Sequence, residues 1–384
     1  MICTATRSAT IRPAGREDIT QMAALHARVW GTSGSPLEDS LASLERHFQQ
    51  VYFESPWSDV RIPCLVCEEA DGKITGLLAA ASRLMNFKGQ SITMAVSSEL
   101  TVDSTSRARL AGVQLLREFL AGPQDLSLAD GANLKSRRIW EMLGGSTSPL
   151  CSLNWFRPLR PCTSFIASMK ERRRVKPFAA AVSLCGHLLD AVAVRMPGQP
   201  FHQQAPPHDA APLTPQLFQQ HLPDFTQLDD LRPEYDAESA DWLWYRLDRM
   251  WQQGEVHKVA VLGKGEEVLG WYIYHIPPDG FAKVAHIAAA DHAYADVLQH
   301  LFHHAWNQGA HGLTGRLHPR QMQTFSDHHC LFHRRGRNML FHSRDEKLLR
   351  TFERGDVFLS HLEGEAALSH HVQDVPDSET VIPR

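Results

Sequence analysis

The chain lacks several features that mark specialised classes of protein. Its 384 residues carry a formal net charge of −4, so no overall positive field indicates a nucleic-acid partner. Its seven cysteines are scattered and odd in number, which is typical of reduced thiols and not of a disulfide framework. Residues 1–15 lack the apolar core of a signal peptide. Together these absences predict a globular protein of the cytoplasm.

Metal-binding patterns are equally weak. Cys64 and Cys67 form a C-x-x-C pair inside a predicted strand, where alternation places them on opposite faces, and no second pair follows at zinc-ribbon spacing. His300 and His304 are spaced to share a helix face, but the glutamate of a His-Glu-x-x-His site is missing. We therefore expect no metal at either pair.

The stretch at residues 91–122 predicts a strand, a polar turn and a helix. Its first part is apolar with a loose period of two, which suits a half-buried strand. Residues 103–106 have turn and N-cap chemistry, and apolar residues then recur at helical spacing. The strand positions are Met94, Val96, Leu100 and Val102, and the helix positions are Leu110, Val113, Leu116 and Leu120.

The junction between this strand and helix predicts an anion site. A helix N-terminus has unpaired N–H groups and the positive end of the helix dipole, and Arg107 and Arg109 lie beside it. The alternative is an ordinary strand–turn–helix with a solvated pair of arginines.

These residues resemble the pyrophosphate loop of GNAT-type acetyl-CoA-dependent acyltransferases, Arg/Gln-x-x-Gly-x-Gly/Ala after a strand that ends in Val-Asp. Arg107 and Gly112 match the motif, whereas Leu110 stands where the family usually has glycine. The opening also resembles this family, with a strand ending in Arg12-Pro13 and a helix from about Asp18. His26 on that helix is interpreted as a packed or surface residue.

A second segment, residues 133–145, resembles the GNAT pattern Asn-x-x-Ala/Ser followed by a helix and Tyr-x-x-x-Gly-Phe. Asn133, Ser136 and Gly144 match, but Trp140 replaces the tyrosine that is often the general acid in the family. An indole N–H is a hydrogen-bond donor without useful acidity, so Trp140 cannot fill that role.

The resemblance covers about residues 9–158 and implies an α/β fold with a mixed sheet. The segment 151–156 is expected to be the last strand of this first domain. A similar order of elements restarts in the second half, which predicts a second GNAT-like domain with late strands at 339–341 and 357–359. Residues 290–294 there contain no Arg, Lys or glycine motif, so this copy is expected to lack the phosphate loop.

The predicted organisation therefore has four parts. Residues 1–160 form an N-terminal GNAT-like domain, 161–215 a helical and Pro-rich linker, 216–365 a C-terminal GNAT-like domain, and 366–384 a disordered tail. In the linker, the basic run 170–174 precedes an apolar helix at 178–195, which leaves a membrane-surface element as an alternative to a connecting helix.

The resemblance implies site residues. Glu99 is the carboxylate placed on the central strand for a general base, with a solvent-side strand residue as the alternative. The residues implied in acetyl-CoA binding are Leu100, Val102, Arg107, Ala108, Arg109, Leu110, Ala111, Gly112, Asn133 and Ser136.

The implied function is acetyl-CoA-dependent transfer of an acetyl group to an amine, with acetyl-CoA as cosubstrate. The expected acceptor is a small molecule or an amino sugar, a homodimer is left open, and neither nucleic acid nor membrane is expected as a partner. The alternative is a catalytically inactive binding or scaffold protein that kept the fold while Leu110 and Trp140 replaced the family residues.

Overall fold

The computed structural model describes residues 9–30, 37–103, 110–162, 205–250, 255–334 and 337–369. Several predicted features lie outside these residues. They are the turn with Arg107, Ala108 and Arg109, the basic run and apolar helix of the linker, and the tail beyond residue 369.

The described residues form helices and strands that alternate along the chain. The helices are α1 (Ile19–Trp30), α2 (Leu37–Phe48), α3 (Ala111–Leu120), α4 (Leu134–Met142), α5 (Pro215–Phe225), α6 (Ala237–Met250), α7 (Tyr294–Asn307), α8 (Met322–Asp327) and α9 (Glu346–Arg354). The strands are β1 (Thr10–Pro13), β2 (Leu65–Glu68), β3 (Ile74–Phe87), β4 (Gln90–Val102), β5 (Leu126–Ala132), β6 (Ser146–Ser148), β7 (Asn154–Pro158), β8 (Asp209–Pro212), β9 (Leu231–Pro233), β10 (Val256–Leu262), β11 (Val268–His275), β12 (Phe281–Ala289), β13 (Gly312–Arg316), β14 (Leu331–His333) and β15 (Asn338–His342).

Two mixed sheets have the same plan, which confirms the predicted mixed α/β fold. The first has the strand order β1-β2-β3-β4-β5-β15-β6, with β9 added beside β3. The second, read in the corresponding direction, has the order β8-β10-β11-β12-β13-β7-β14. In each sheet a single parallel pair lies at the fourth and fifth positions, β4 with β5 and β12 with β13.

The first sheet takes β9 and β15 from the second half of the chain, and the second sheet takes β7 from the first half. The positions of β7 and β15 correct two predictions. The strand expected at 151–156 as the last of the first domain is β7, and it pairs with β13 and β14 in the second sheet. The late strand expected at 339–341 is β15, which pairs with β5 and β6 in the first sheet. Membership of the sheets therefore does not follow the predicted bounds of 1–160 and 216–365.

Burial explains the exchange of β15. Its side chains Met339 and Phe341 enter one core and Leu340 enters another, and each of these residues is buried. A strand that is apolar on both faces needs a position covered on both sides. The first sheet provides that position, and there Phe341 stacks on Phe352 with ring centroids 4.4 Å apart.

Two further segments differ from the secondary structure that was predicted for them. Residues 209–212, expected in the linker, form β8 at the edge of the second sheet and pair with β10. Residues 357–359 were expected to be a strand, but only Val357 forms a bridge, with Leu231.

The packing of the helices explains where a site can lie. Helices α1 and α2 cover one face of the first sheet, in a core that continues to the inner face of the second sheet through Trp271 and Ile273. Helices α3 and α4 cover the other face in a separate core. The parallel pair β4 and β5 thus lies between two helical layers.

Candidate active site

The parallel strands β4 and β5 separate part of the way along. Their pairing ends at Val96 and Leu128, although β4 continues to Val102 and β5 continues to Ala132. We call this opening the β4–β5 cleft. Backbone groups that line such an opening can pair with an extended ligand as an added strand would.

A bulge in β4 lies at the level of the cleft. Against β3, Leu77 pairs with Thr101 and Ala79 pairs with Ser98, so two residues of β4 oppose one residue of β3. The first of the two, Glu99, has a φ of +52°. Non-glycine residues seldom adopt this left-handed conformation, and such backbone strain is concentrated at functional sites.

The Glu99 side chain lies against α1. Its Oε2 is 2.8 Å from Nε2 of His26, and the two side chains are only 15% and 16% exposed. One turn further along α1, the indole N–H of Trp30 donates to Oγ1 of Thr101 at 2.9 Å. The structure therefore brings His26, which the sequence analysis interpreted as a packed or surface residue, to the predicted base.

Tyr52 borders the same face of the cleft. Its hydroxyl lies 2.7 Å from Oγ of Ser98 and donates to the carbonyl of Leu368 at 3.4 Å. Burial and, after it, the nearby charge of Glu99 raise the pKa of Tyr52 well above its ordinary value. Tyr52 is therefore a neutral hydrogen-bonding group at physiological pH.

Neither Leu110 nor Gly112 blocks the start of α3 among the described residues. Leu110 is 62% exposed, so its side chain points to solvent and does not fill the cleft. A Cβ at Gly112 would meet only Cγ2 of Val102, at an ordinary 3.5 Å. No contact among the described residues therefore requires glycine at position 112. A phosphate that approached the backbone of α3 would require it, because a Cβ would lie in the way.

The other predicted acetyl-CoA residues occupy two positions. Leu100 and Val102 are half-buried beside the core of α3 and α4, at the edge of the cleft. Asn133 caps α4, because its Oδ1 accepts the N–H groups of Lys135 at 2.9 Å and Ser136 at 3.0 Å. Binding of acetyl-CoA by these residues stays a prediction.

Trp140 is a packing residue. It is 1% exposed, its indole N–H donates to the carbonyl of Phe341 at 3.1 Å, and its ring lies against Phe119. The indole N–H therefore holds α4 against β15 and does not reach into the cleft.

A short helical turn, Glu365–Ala367, lies across the cleft from the side opposite α3. Oε1 of Glu365 accepts the N–H groups of Asp130 and Gly131, each at 3.1 Å. The N–H of Glu365 donates to Oδ1 of Asp130 at 2.7 Å. This close approach needs glycine at position 364, where a Cβ would lie 2.0 Å from Oδ2 of Asp130.

The two carboxyl groups of this contact have opposite pKa shifts. Burial opposes ionisation of Asp130, but the charge and hydrogen bond of Arg316, at 2.5 Å, lower its pKa below the ordinary value. Burial and the Asp130 charge raise the pKa of Glu365 to about 8. At neutral pH Asp130 is therefore ionised, whereas Glu365 is mostly protonated.

No pattern in the sequence pointed to Glu365. It lies 235 residues from its partner Asp130, and no motif surrounds it. The only local signal is the preceding Gly364, which is one of 24 glycines in the chain.

The second sheet has a corresponding opening that the chain itself fills. Strands β12 and β13 pair as far as Val284 and Gly315, after which β12 continues without β13 beside it. The N–H of His361 donates to the carbonyl of Ala285 at 3.1 Å, as a paired strand would. Residues 358–360 line the small space that remains.

A histidine and an aspartate of the chain lie at this second opening. Nδ1 of His286 lies 2.8 Å from Oγ of Ser360, and burial lowers the pKa of His286 to about 4. At the start of α7, Asp291 occupies the sequence position that corresponds to Arg107 and Arg109 before α3, and its Oδ1 accepts the side-chain amide of Gln321 at 3.0 Å. This helix terminus is thus next to a negative charge of the chain itself.

The histidine face of α7 is hydrogen-bonded inside the second half. Nδ1 of His300 lies 2.8 Å from the hydroxyl of Tyr272, and Nδ1 of His304 lies 2.7 Å from that of Tyr274. In the part of the chain that the structure describes, no group of three or more His, Cys, Asp or Glu could hold a metal ion. None of the described helices has the length and apolar character needed to cross a membrane.

Comparison with known proteins finds likeness in structure alone. No family model and no curated protein sequence matches the chain. A GCN5-related N-acetyltransferase from Anabaena variabilis matches at 13% identity with a TM-score of 0.54, over 86% of this chain and 72% of that protein. A protein from Enterococcus faecalis, described as a probable N-acyltransferase, matches at 12% identity with a TM-score of 0.55, over 90% and 74%.

Proposed function

Because the chain has the GNAT-type fold, we propose that it is an acyl-CoA-dependent N-acyltransferase that transfers an acetyl group to an amine. The observation that carries the proposal is the β4–β5 cleft, where a strained bulge in β4 holds Glu99. The acceptor is a small molecule or an amino sugar.

Cosubstrate binding is assigned to the α3 side of the cleft. The side chains of Leu100 and Val102 contact the pantetheine, and the backbone groups of this strand pair with it. The amides at the start of α3 hold the pyrophosphate. Arg107 and Arg109 add charge to that anion site. Two observations support this assignment: the Leu110 side chain points to solvent, and no described atom closer than Cγ2 of Val102 at 3.5 Å requires glycine at position 112.

The base is assigned to the α1 side. Glu99 accepts the proton of the attacking amine, and His26, 2.8 Å away, positions the carboxylate and can pass the proton on to solvent. Tyr52 and Ser98 form the neutral polar wall of the acceptor site. The enzyme otherwise acts by holding the two substrates in line.

A cytoplasmic location is part of the proposal. Four of the described cysteines, Cys64, Cys67, Cys151 and Cys330, are buried free thiols. Free buried thiols are typical of proteins from reducing compartments.

One observation favours the alternative of a binding protein without catalysis. The turn Glu365–Ala367 lies in the cleft and occupies the amides of Asp130 and Gly131. A protein that kept the fold only to dock a partner would tolerate such a blocked cleft.

Acetyl-CoA binding and turnover separate the two functions. Thermal unfolding with and without acetyl-CoA should show stabilisation of the wild-type protein, because a ligand of the native state must stabilise it. The stabilisation should be lost in Arg107→Ala and kept in Arg249→Ala, an exposed arginine of the second half. Binding together with thiol release on addition of an amine supports the enzyme. Binding without thiol release, or no binding at all, contradicts the enzyme and supports the alternative.

A further inference from the structure

In the part of the chain that the structure describes, the cleft holds the proposed base Glu99, but the family's usual acid is replaced by Trp140. Breaking a thioester leaves a thiolate, and a positioned acid that protonates it typically contributes about 10²–10⁴-fold to the rate. The residue at the tyrosine position, Trp140, is buried and donates to a backbone carbonyl. If the chain transfers acyl groups, the proton must come from another residue that reaches the cleft.

Glu365 meets that geometric requirement. Its Oε1 is fixed by the two β5 amides, which leaves Oε2 as the oxygen that can carry a proton. Oε2 lies 2.9 Å from where a Cβ at Gly131 would be, so glycine makes room for it. The carboxyl group is thereby held on the backbone of β5, beyond the point where its pairing with β4 ends.

The groups around Glu365 keep it in the acid form. Asp130 is ionised because Arg316 pairs with it, and a second negative charge beside it is unfavourable. Glu99 adds to this repulsion from β4. Other charged or titratable groups near this segment are Arg337 before β15, Arg246 on α6, Arg83 on β3, Tyr52, His361 and Glu363.

We propose that Glu365 is the general acid of the transfer and that it donates its proton to the departing sulfur. The inference rests on the proposed function. It assigns opposite roles to two carboxyl groups of one cleft, Glu99 as base and Glu365 as acid, which is how pairs of titratable groups in different environments divide acid and base work.

The step balances without another reactant. The nitrogen–carbon bond forms as the carbon–sulfur bond breaks, Glu99 takes one proton from the amine, and Glu365 gives one proton to the sulfur. The products are an amide and a free thiol. Glu99 then loses its proton and Glu365 regains one by exchange with solvent.

The first test compares two acyl donors with glucosamine as a simple amine probe. Glu365→Gln keeps a carbonyl oxygen for the two amides but loses the acid. With acetyl-CoA its thiol release should fall about 100-fold, whereas with phenyl thioacetate, whose thiolate leaves unprotonated, it should fall less than about threefold. Glu363→Gln is the control, because Glu363 belongs to the same segment but bonds to Ser360 and Tyr235. Its effect should be equal for both donors.

A second readout does not depend on turnover. The infrared difference spectrum between wild type and Glu365→Gln at neutral pH should show a protonated carboxyl band that the variant lacks. Absence of that band, or an equal loss of rate with both donors, overturns the acid role alone. Failure of the wild type to bind acetyl-CoA or release thiol from it overturns the proposed function, and the acid role with it.

Discussion

The two sheets have one strand order but two very different clefts. In the first, β4 and β5 open beside a helix that starts with exposed Leu110 and unhindered Gly112. In the second, β12 is paired by the backbone of His361, and Asp291 stands at the start of α7. We infer from this difference that the fold alone produces an opening in each sheet, whereas the residues at each opening decide whether a ligand can bind there.

The largest expected effect is the loss of the base from the first cleft. Glu99→Gln should reduce the rate of acyl transfer by about 10²–10³-fold, because the amide cannot accept the amine's proton. The dissociation constant of acetyl-CoA, measured by calorimetry, should stay within about twofold, a change of no more than about 0.4 kcal/mol.

The matched control for this variant is Glu267→Gln, on an exposed hairpin of the second sheet. It should leave both the rate and acetyl-CoA binding unchanged. Equal losses in the two variants would show that the first cleft has no special role.

Gly364→Ala should destabilise the segment that crosses the first cleft. The added Cβ would lie 2.0 Å from the Asp130 carboxylate, so the turn at Glu365 must move. We expect a loss of about 1–3 kcal/mol in the free energy of unfolding, as for other overpacked sites, measured by urea denaturation. Gly112→Ala, whose added Cβ would meet only Cγ2 of Val102 at an ordinary 3.5 Å, controls for the general effect of replacing glycine. Equal losses would mean that the contact with Asp130 adds nothing.

Gly112→Ala makes the start of α3 resemble that of α7, which has Ala295 at the corresponding second position. Alanine should leave the free protein as stable or stabilise it by up to about 1 kcal/mol, since it favours helix. Acetyl-CoA should nevertheless bind about tenfold more weakly, about 1.4 kcal/mol, because the Cβ occupies the approach to the backbone. Unchanged affinity in a titration would place the phosphates elsewhere.

The smallest expected effect is a change in how stability depends on pH, and it involves only the second half of the chain. Burial and, after it, the nearby histidines His257, His300 and His303 lower the pKa of His304 from 6.5 to about 4. Between these values the unfolded chain binds a proton that the folded chain does not, so the free energy of unfolding falls as the pH drops from about 6.5 to about 4. The slope should be at most about 1 kcal/mol per pH unit, because the ring is only partly buried.

The variant His304→Asn should show a smaller dependence of the free energy of unfolding on pH, as measured by urea denaturation at a series of pH values. An unchanged slope would mean that other groups cause the acid sensitivity. The acetyl-CoA affinity of the folded variant should be unaffected, because His304 lies outside the first cleft.

The sequence predicted those features that depend on local pattern. Alternation at Met94 and Val96 and helical spacing from Val113 to Leu120 predicted β4 and α3, and both are present. Turn chemistry and the motif resemblance placed Glu99 on the central strand beside the start of α3. These signals come from residues within about 30 positions of one another.

The rest depends on contacts between distant residues. The exchange of β7 and β15 could not be read from either strand, because a strand's own pattern shows that it is buried but not against which sheet. His26 reaches Glu99 across 73 residues, and Glu365 reaches Asp130 across 235. A lone histidine on an apolar helix gives no sign of such a partner.

The most direct test of the account is a crystal structure of the protein soaked with acetyl-CoA. We predict density for the pyrophosphate at the amides that begin α3, near Gly112, and for the pantetheine along Leu100 and Val102, with the second opening still filled by residues 358–361. Density for the ligand only in the second opening, or none despite saturating acetyl-CoA, would contradict it.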